Sequence, residues 1–365
     1  MVVNVDWFFL SHRLPLALKM KSLGYDVYII TKNTGKQEEI EKNGLRFLEM
    51  PFERSGKNPL HEIGTIRKLS RLFKKHQPAI IHNVTIKPAL YGSIAAKLAK
   101  LKSTQVVNAI SGLGYNFTNG RDGIVQKIVK RLMSYAFSGN VKFIFQNPDD
   151  KALYETMGLI DNNYKIIKGA GVDADVFPFS PTLVKDKIHI VTTARMLADK
   201  GILELIEAAQ LLKSKYQGKI LFQLIGDLDP ANPSAISKET LQNAEEHGYL
   251  EWKGHSVDVR PALVQSDIVC LPSYREGLPK SLIEAMAIGR PIVSTDVPGC
   301  RECVDEGING FLVAARDAVS LSAALEKLIE SESLRLQMGK ASREKMVREL
   351  SLENVLKETI AFYES

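Results

Sequence analysis

The sequence predicts an α/β protein built of two Rossmann-like, doubly wound domains facing a cleft. Three observations carry that prediction. Short β-branched runs alternate with helical patterns along all 365 residues, the pattern of parallel sheets covered by helices on both faces. The alternation breaks once, at GVDADVFPFSPTLVKDK, a stretch with prolines and polar residues but no periodicity, and then restarts. The charge divides in the same way: residues 1–170 hold 26 Lys and Arg against 13 Asp and Glu, and the rest hold 22 against 29, within a net charge of +6.

In the first half the strands are read at VVNV, DVYIIT, LRFLEM, AIIHNV, QVVNAIS, VKFIFQN and YKIIKGA, separated by helical patterns such as LPLALKMKSLG, IRKLSRLFKKHQ and PALYGSIAAKLAKL. This makes one doubly wound domain, expected over residues 1–172. The second series runs through KIHIVTTAR, KILFQLIGD, LEWKG, DIVCLPSY, PIVSTDV and NGFLVAA, with GILELIEAAQLL and PKSLIEAMAIG among its helices. It is expected over residues 187–348, and a C-terminal helix over 349–365 is expected to pack back on the first domain. Open α/β sheets bind ligands beyond the carboxyl ends of their strands, so chemistry is sought in the residues that follow each strand.

Composition narrows the function. Three cysteines in no regular framework argue against a stapled secreted fold. No apolar run reaches the roughly 18 residues of a membrane span, and the opening MVVNVDWFFLSHRLP lacks the features of a signal peptide. The expected location is therefore the cytoplasm. A basic half calls for an anionic partner, and the α/β alternation holds no nucleic-acid-binding motif. The segments IRKLSRLFKKH and GIVQKIVKRLMSYAF combine apolar stripes (Ile66, Leu69, Phe73; Ile124, Ile128, Leu132) with Arg67, Arg71, Lys74, Lys75, Lys127, Lys130 and Arg131. The stripes are expected to pack on the sheet, which leaves the basic excess to meet an anionic membrane surface and a diphosphate carrier.

The strongest local signal is Glu276-Gly-Leu-Pro-Lys-Ser-Leu-Ile-Glu284, directly after the apolar run DIVCLPSY. Gly277 permits close approach, Pro279 suits a helix start, and the helix N-terminus offers free amides to a diphosphate. The two carboxylates can accept hydrogen bonds from separate hydroxyls of one ligand. Alone, this segment is equally an ordinary strand-turn-helix with incidental glutamates. A second constellation shifts the balance: HIVTTAR ends in Arg195, and Lys200-Gly201 opens the next helix, so two cations lie on one strand-to-helix loop of the same sheet.

With Arg195 and Lys200, the strand end LIGD at Gly226, the segment WKGHSVDV and the Glu276-x7-Glu284 spacing, nearly the whole chain resembles the retaining glycosyltransferases of family 4, of the GT-B fold. The resemblance implies a nucleotide-sugar donor held mainly by the second domain. Arg195 and Lys200 would meet the diphosphate, Glu276 the donor-sugar hydroxyls, and Glu284 the ribose, with Glu276, Arg195 and Lys200 as the catalytic set. Gly226, His255, Gly277, Leu278, Pro279 and Leu282 would complete the donor site. Within the family, FFLSHRLPLA, IKPALYGSIAAKLAK and SGLGYNF resemble bacterial enzymes extending lipid-diphosphate-linked sugars, N-acetylgalactosaminyltransferases among them.

In the first domain, Ser11-His12-Arg13 stands where the first strand turns into its helix, so His12 and Arg13 are read as acceptor contacts ahead of the alternative, a solvated Arg13 and a capping His12. Family members often carry a glycine-rich turn here, where this chain has Asp6-Trp7-Phe8-Phe9, so no donor contact is carried over. His82 ends AIIH, whereas relatives commonly place a histidine two residues later, at Val84 here; His82 is read as a structural residue or an acceptor contact on even terms. Lys87 is a further acceptor-phosphate candidate, on even terms with a solvated surface lysine. Other motifs fail on context: Asp227-Leu-Asp229 comes too late for a metal-binding Asp-x-Asp, Asp173-Ala-Asp175 lies in the linker, Cys300 and Cys303 lack a second ligand pair, and Gly112-Leu-Gly114 lacks the third glycine of a dinucleotide fingerprint.

The expected function is transfer of a hexose or N-acetylhexosamine from a UDP-sugar to a polyprenyl-diphosphate-linked saccharide in bacterial surface glycan assembly. Configuration would be retained, and no metal or other cofactor is expected. The enzyme would sit peripherally on the inner face of the cytoplasmic membrane. The alternatives are a sugar-nucleotide epimerase of the same architecture and a non-catalytic nucleotide-sugar-binding subunit.

Overall fold

The computed structural model describes residues 1–53, 59–112, 124–182 and 185–365. The chain begins β1 (Val2–Val5), α1 (Asp6–His12), α2 (Leu14–Ser22), β2 (Tyr28–Lys32), α3 (Gln37–Lys42), β3 (Arg46–Glu49), α4 (Pro59–His76) and β4 (Ile80–Val84). It continues through α5 (Ile86–Ala99), β5 (Gln105–Ile110), α6 (Ile124–Phe137), β6 (Val141–Phe145), α7 (Pro148–Thr156) and β7 (Tyr164–Ile166). A second series follows: β8 (Ile188–Thr193), α8 (Ile202–Tyr216), β9 (Ile220–Ile225), α9 (Lys238–Ala244), β10 (Leu250–Trp252), α10 (Arg260–Gln265) and β11 (Ile268–Leu271). It closes with α11 (Lys280–Ile288), β12 (Ile292–Thr295), β13 (Gly310–Val313), α12 (Ala318–Glu330), α13 (Glu332–Lys345) and α14 (Leu352–Glu364).

Two compact units result, one of Met1–Ala170 with Leu356–Ser365 and one of Gly171–Val355. The first contains a parallel sheet in the order β3-β2-β1-β4-β5-β6-β7, the second a parallel sheet in the order β10-β9-β8-β11-β12-β13. Strand order reverses between β1 and β4 in one and between β8 and β11 in the other. Those are the switch points at which helices leave to opposite faces and open a crevice at the carboxyl edge.

Burial follows the winding. All five residues of β6 and all four of β11 are buried, because helices cover both faces of a parallel sheet. Neighbouring residues feed opposite cores: Val2 and Ile30 join the cluster under α4 to α7, whereas Val3 and Ile29 join the one under α1 to α3. In the second unit Ile190 and Phe222 pack with α8 and α12, and Val191, Val269 and Leu271 with α11.

Two expectations need correction. Residues 6–12 form a helix directly after β1 rather than a turn, because the buried Asp6 carboxylate accepts from Trp7 N at 2.8 Å and from Thr34 N and Oγ1, both at 2.5 Å. The second concerns α6. Leu69 and Phe73 of α4 are buried as expected, but Ile128 and Leu132 are exposed, and Met133, Ala136 and Phe137 take the inner face. The helix carries two apolar rows, and periodicity alone does not choose between them; Phe137 packs edge-on to Phe143 of β6 at 5.1 Å and fixes the choice. The Ile124 side chain lies outside the described residues, as do residues 113–117 of SGLGYNF and with them Gly114. No described helix is long and apolar enough to cross a membrane.

Candidate active site

At the β8–β11 switch point the chain brings two loops together through a glycine. Gly201 has φ +71°, and a Cβ there would lie 2.0 Å from the carbonyl oxygen of Pro272, so only glycine lets the turn before α8 lie directly on the exit of β11. Tyr274 N donates to Asp199 O across the junction at 2.9 Å. The consequence is an ion pair between Lys200 Nζ and Glu276 Oε1, with Ser273 Oγ donating to the same oxygen at 2.7 Å. Glu276 is 12% exposed, and the pair is thus shielded yet open to a ligand. From behind, Glu276 N donates to Pro298 O at 3.2 Å. Gly299, φ +81°, lies so close that a Cβ would stand 2.6 Å from the carbonyls of Glu276 and Gly277.

Arg195 leaves the end of β8 and pairs through Nη1 with Asp229 Oδ2 at 2.5 Å, itself 44% exposed. Gly226, φ +149°, ends β9 where a Cβ would meet Ala194 O at 1.8 Å, and its carbonyl accepts from Trp252 Nε1 at 2.9 Å. His255 Nδ1 stands 3.2 Å from Asp227 Oδ2 at the surface. Helix α11 is capped by Pro279, and one turn in, Glu284 lies 3.5 Å from Lys280 Nζ. Burial pushes the Glu284 carboxyl above its usual range, against the opposing pull of Lys280. The side chain of Leu282 is fully buried in the core with Ile283 and Met286, and its N–H donates to Pro279 O, so it positions the helix rather than facing a ligand.

The first-unit candidates separate. His12 is half-exposed, stacked on Phe8 at 4.1 Å and 2.6 Å from Ser11 Oγ. Arg13 and His82 are inside: both are buried, and His82 Nδ1 shares a 2.7 Å hydrogen bond with the Tyr363 hydroxyl. Burial, then the Arg13 charge, holds the His82 imidazole far below its ordinary range. A cavity of about 330 Å³ that His82 and Tyr363 line opens toward Met1, His76 and Ile80, at the amino ends of the strands. His82 thus has a protein partner inside the first unit, and Arg13 is buried rather than solvated. Lys87, at the start of α5, pairs with Glu62 at 2.7 Å and donates to Glu53 O at 2.6 Å.

Several participants escaped the sequence reading. Ser273 and Gly299 have no motif of their own; their roles come from which strand ends the topology makes neighbours. In the first unit Thr85 stands at φ +74° and ψ 165°, a region almost reserved for glycine, at the carboxyl edge of β4. Its hydroxyl accepts from Asn4 Nδ2 of β1 at 2.9 Å, across the first switch point. Asp227 and Asp229, set aside above as metal ligands, instead hold His255 and Arg195.

Comparison with known proteins adds two family models: one described as Glycosyl transferase 4-like over residues 1–147, the other as Glycosyl transferases group 1 over 173–345. The chain is 30% identical over 354 residues to the N,N'-diacetylbacillosaminyl-diphospho-undecaprenol alpha-1,3-N-acetylgalactosaminyltransferase of Campylobacter jejuni, covering 91% of each. It is 24% identical over 337 residues to the UDP-Gal:alpha-D-GlcNAc-diphosphoundecaprenol alpha-1,3-galactosyltransferase of Escherichia coli, covering 88% of this chain and 84% of that protein. Among solved structures, a glycosyltransferase from Rickettsia africae superposes with TM-score 0.79 at 21% identity, over 100% of this chain and 96% of the other. Anabaena HepE in complex with UDP gives 0.78 at 15% identity, over 99% and 98%.

Proposed function

The chain belongs to the family-4-like glycosyltransferases of the two-domain GT-B fold, and from that premise we propose that it moves a hexose or N-acetylhexosamine from a UDP-sugar to a polyprenyl-diphosphate-linked saccharide in bacterial surface glycan assembly. The observation that carries the reading is the meeting of Lys200, Ser273 and Glu276 where β8 and β11 end. The names of the Campylobacter and Escherichia relatives support the acceptor class, and the latter's name supports a UDP-linked donor.

In this reading the donor lies on the second unit. Lys200 and Ser273 both donate to Oε1 of the Glu276 carboxylate, and Oε2 accepts from a donor-sugar hydroxyl. Glu284 accepts from the ribose. Breaking the sugar–phosphate bond places negative charge on the β-phosphate, and Arg195, Lys200 and the amides that open α11 stabilise it. Arg195 then exchanges Asp229 for phosphate, and no metal is required. The acceptor hydroxyl attacks from the leaving group's own face, the departing phosphate takes its proton, and the configuration is retained. His12 and Lys87 serve the acceptor, and the enzyme works peripherally at the inner face of the cytoplasmic membrane.

The test is a panel of UDP-, GDP- and ADP-sugars with a short-chain polyprenyl-diphosphate saccharide. The expected result is acceptor-dependent UDP release with a mass gain of one sugar, α-linked where the donor is α-linked. Glu276→Ala should lower turnover by about a hundredfold or more with little change in melting temperature. Donor interconversion without acceptor would replace the reading with an epimerase, and binding without turnover would replace it with a non-catalytic subunit.

A further inference from the structure

Helix α1 turns a row of rings outward at the carboxyl edge of β1. Trp7 is 40% exposed, Phe8 and His12 are half-buried and Ser11 is exposed, whereas Asp6 and Phe9 are buried. With 3.6 residues per turn, positions 7, 8, 11 and 12 share one face of about 140°. Along it the Trp7 ring stands edge-on to Phe8 at 6.0 Å, Phe8 stacks on His12 at 4.1 Å, and Ser11 Oγ lies 2.6 Å from His12 Nδ1. The start of the helix is pinned, since the Asp6 carboxylate accepts from Trp7 N, Thr34 N and Lys36 N, and the indole is presented from a fixed backbone. Strand β1 borders the first switch point, where Asn4 bonds Thr85, and open α/β sheets receive ligands at that edge.

We infer that this face is a saccharide platform, on which a sugar ring of the acceptor lies against the Trp7 indole while its hydroxyls meet Ser11 and His12. A pyranose carries C–H groups on its faces and hydroxyls at its rim, and an exposed aromatic ring beside a hydroxyl and an imidazole matches both. Composition selects the occupant. The helix sequence DWFFLSH holds no lysine or arginine, so the face lacks the cations that hold a diphosphate. An isoprenoid chain laid over it would desolvate Ser11 and His12 without returning a hydrogen bond, which a sugar hydroxyl does return. Trp7 thus selects the sugar and leaves the diphosphate to other residues. The inference rests on the reading that the acceptor is a saccharide, and deepens it by naming the residue that recognises the ring.

The experiment follows tryptophan emission of the full chain, titrated with a short-chain polyprenyl-diphosphate saccharide and with the same polyprenyl diphosphate lacking the sugar. A saturable shift with the saccharide only is expected. Trp7→Phe should abolish it, because the other tryptophan of the chain, Trp252, belongs to the second unit. In transfer assays Trp7→Ala should raise the acceptor KM by about tenfold and change kcat less, while Trp7→Phe should recover most of that loss, a rescue that ring stacking predicts. The wild-type titration does not depend on the folding of either variant. Absence of transfer in the wild type with every nucleotide sugar would count against the proposed function, while the emission titration, which needs no turnover, would still decide the platform. Emission that ignores the saccharide or answers the sugarless diphosphate equally, a response that persists in Trp7→Phe, an acceptor KM of Trp7→Ala equal to that of the wild type, or a dimer that Trp7→Ala dissociates without any response to saccharide would each overturn it.

Discussion

Glu276 and Glu284 stand on one short segment in different electrostatic settings. Glu276 is held by Lys200 and Ser273, whereas Glu284 is desolvated, with only Lys280 opposing the rise of its pKa. A carboxyl whose folded pKa is raised binds its proton longer in the folded than in the unfolded chain, so stability falls as pH rises through the interval between the two values. Glu284→Gln should therefore melt higher than wild type at neutral pH, with the difference shrinking as pH falls through the raised folded value toward the ordinary carboxylate range of about 4, and gone below it. The same variant should bind donor less tightly, the exchange of stability for function expected at a binding residue. Equal melting profiles across pH would remove the assignment. Glu276, Arg195 and Lys200 were legible because each follows a strand at a recognisable spacing. The burial of His82 was not legible, because Tyr363, 281 positions beyond it, supplies its partner.

Among the elements, the turn before α8 is the one most exactingly built. Any side chain at Gly201 must take up φ +71° and displace the Pro272 carbonyl, and these two demands act on the same junction that aligns Lys200 with Glu276. Gly201→Ala should lower unfolding stability by roughly 1–3 kcal/mol in urea titrations and lower turnover more than Lys200→Arg does; a variant with wild-type stability would show that the junction yields. Most strands were legible because fully buried parallel strands are continuous apolar runs between turn residues. Helix α6 was less so, since two apolar rows on one helix satisfy the same period and only Phe137 against Phe143 selects the inner one. Helix α1 was missed because its start depends on Asp6 meeting Thr34 in the loop after β2, a contact that no local pattern encodes.

The molecule as a whole is two units, one of which is discontinuous in sequence. Leu356–Ser365 belong to the first unit, where Tyr363 meets His82 and the Lys142 ammonium donates to Phe362 O at 3.0 Å and Ser365 Oγ at 3.1 Å. Tyr363→Phe keeps the ring and removes the hydroxyl, leaving His82 Nδ1 buried without its partner, and should destabilise the protein by about 1–3 kcal/mol in thermal or urea unfolding at neutral pH. An unchanged midpoint would mean that the bond adds nothing net. That such a bond would join the two ends of the chain was not readable from local pattern, which gives the existence of a last helix but not the side chains it covers. The arrangement also bears on biosynthesis. The ribosome completes the body of the first unit at Ala170 but delivers Leu356–Ser365 only after the whole second unit, roughly 10–40 s later at ordinary elongation rates. Through that interval the nascent first unit holds His82 and Lys142 uncovered, and a chaperone that shelters this face would be most needed then.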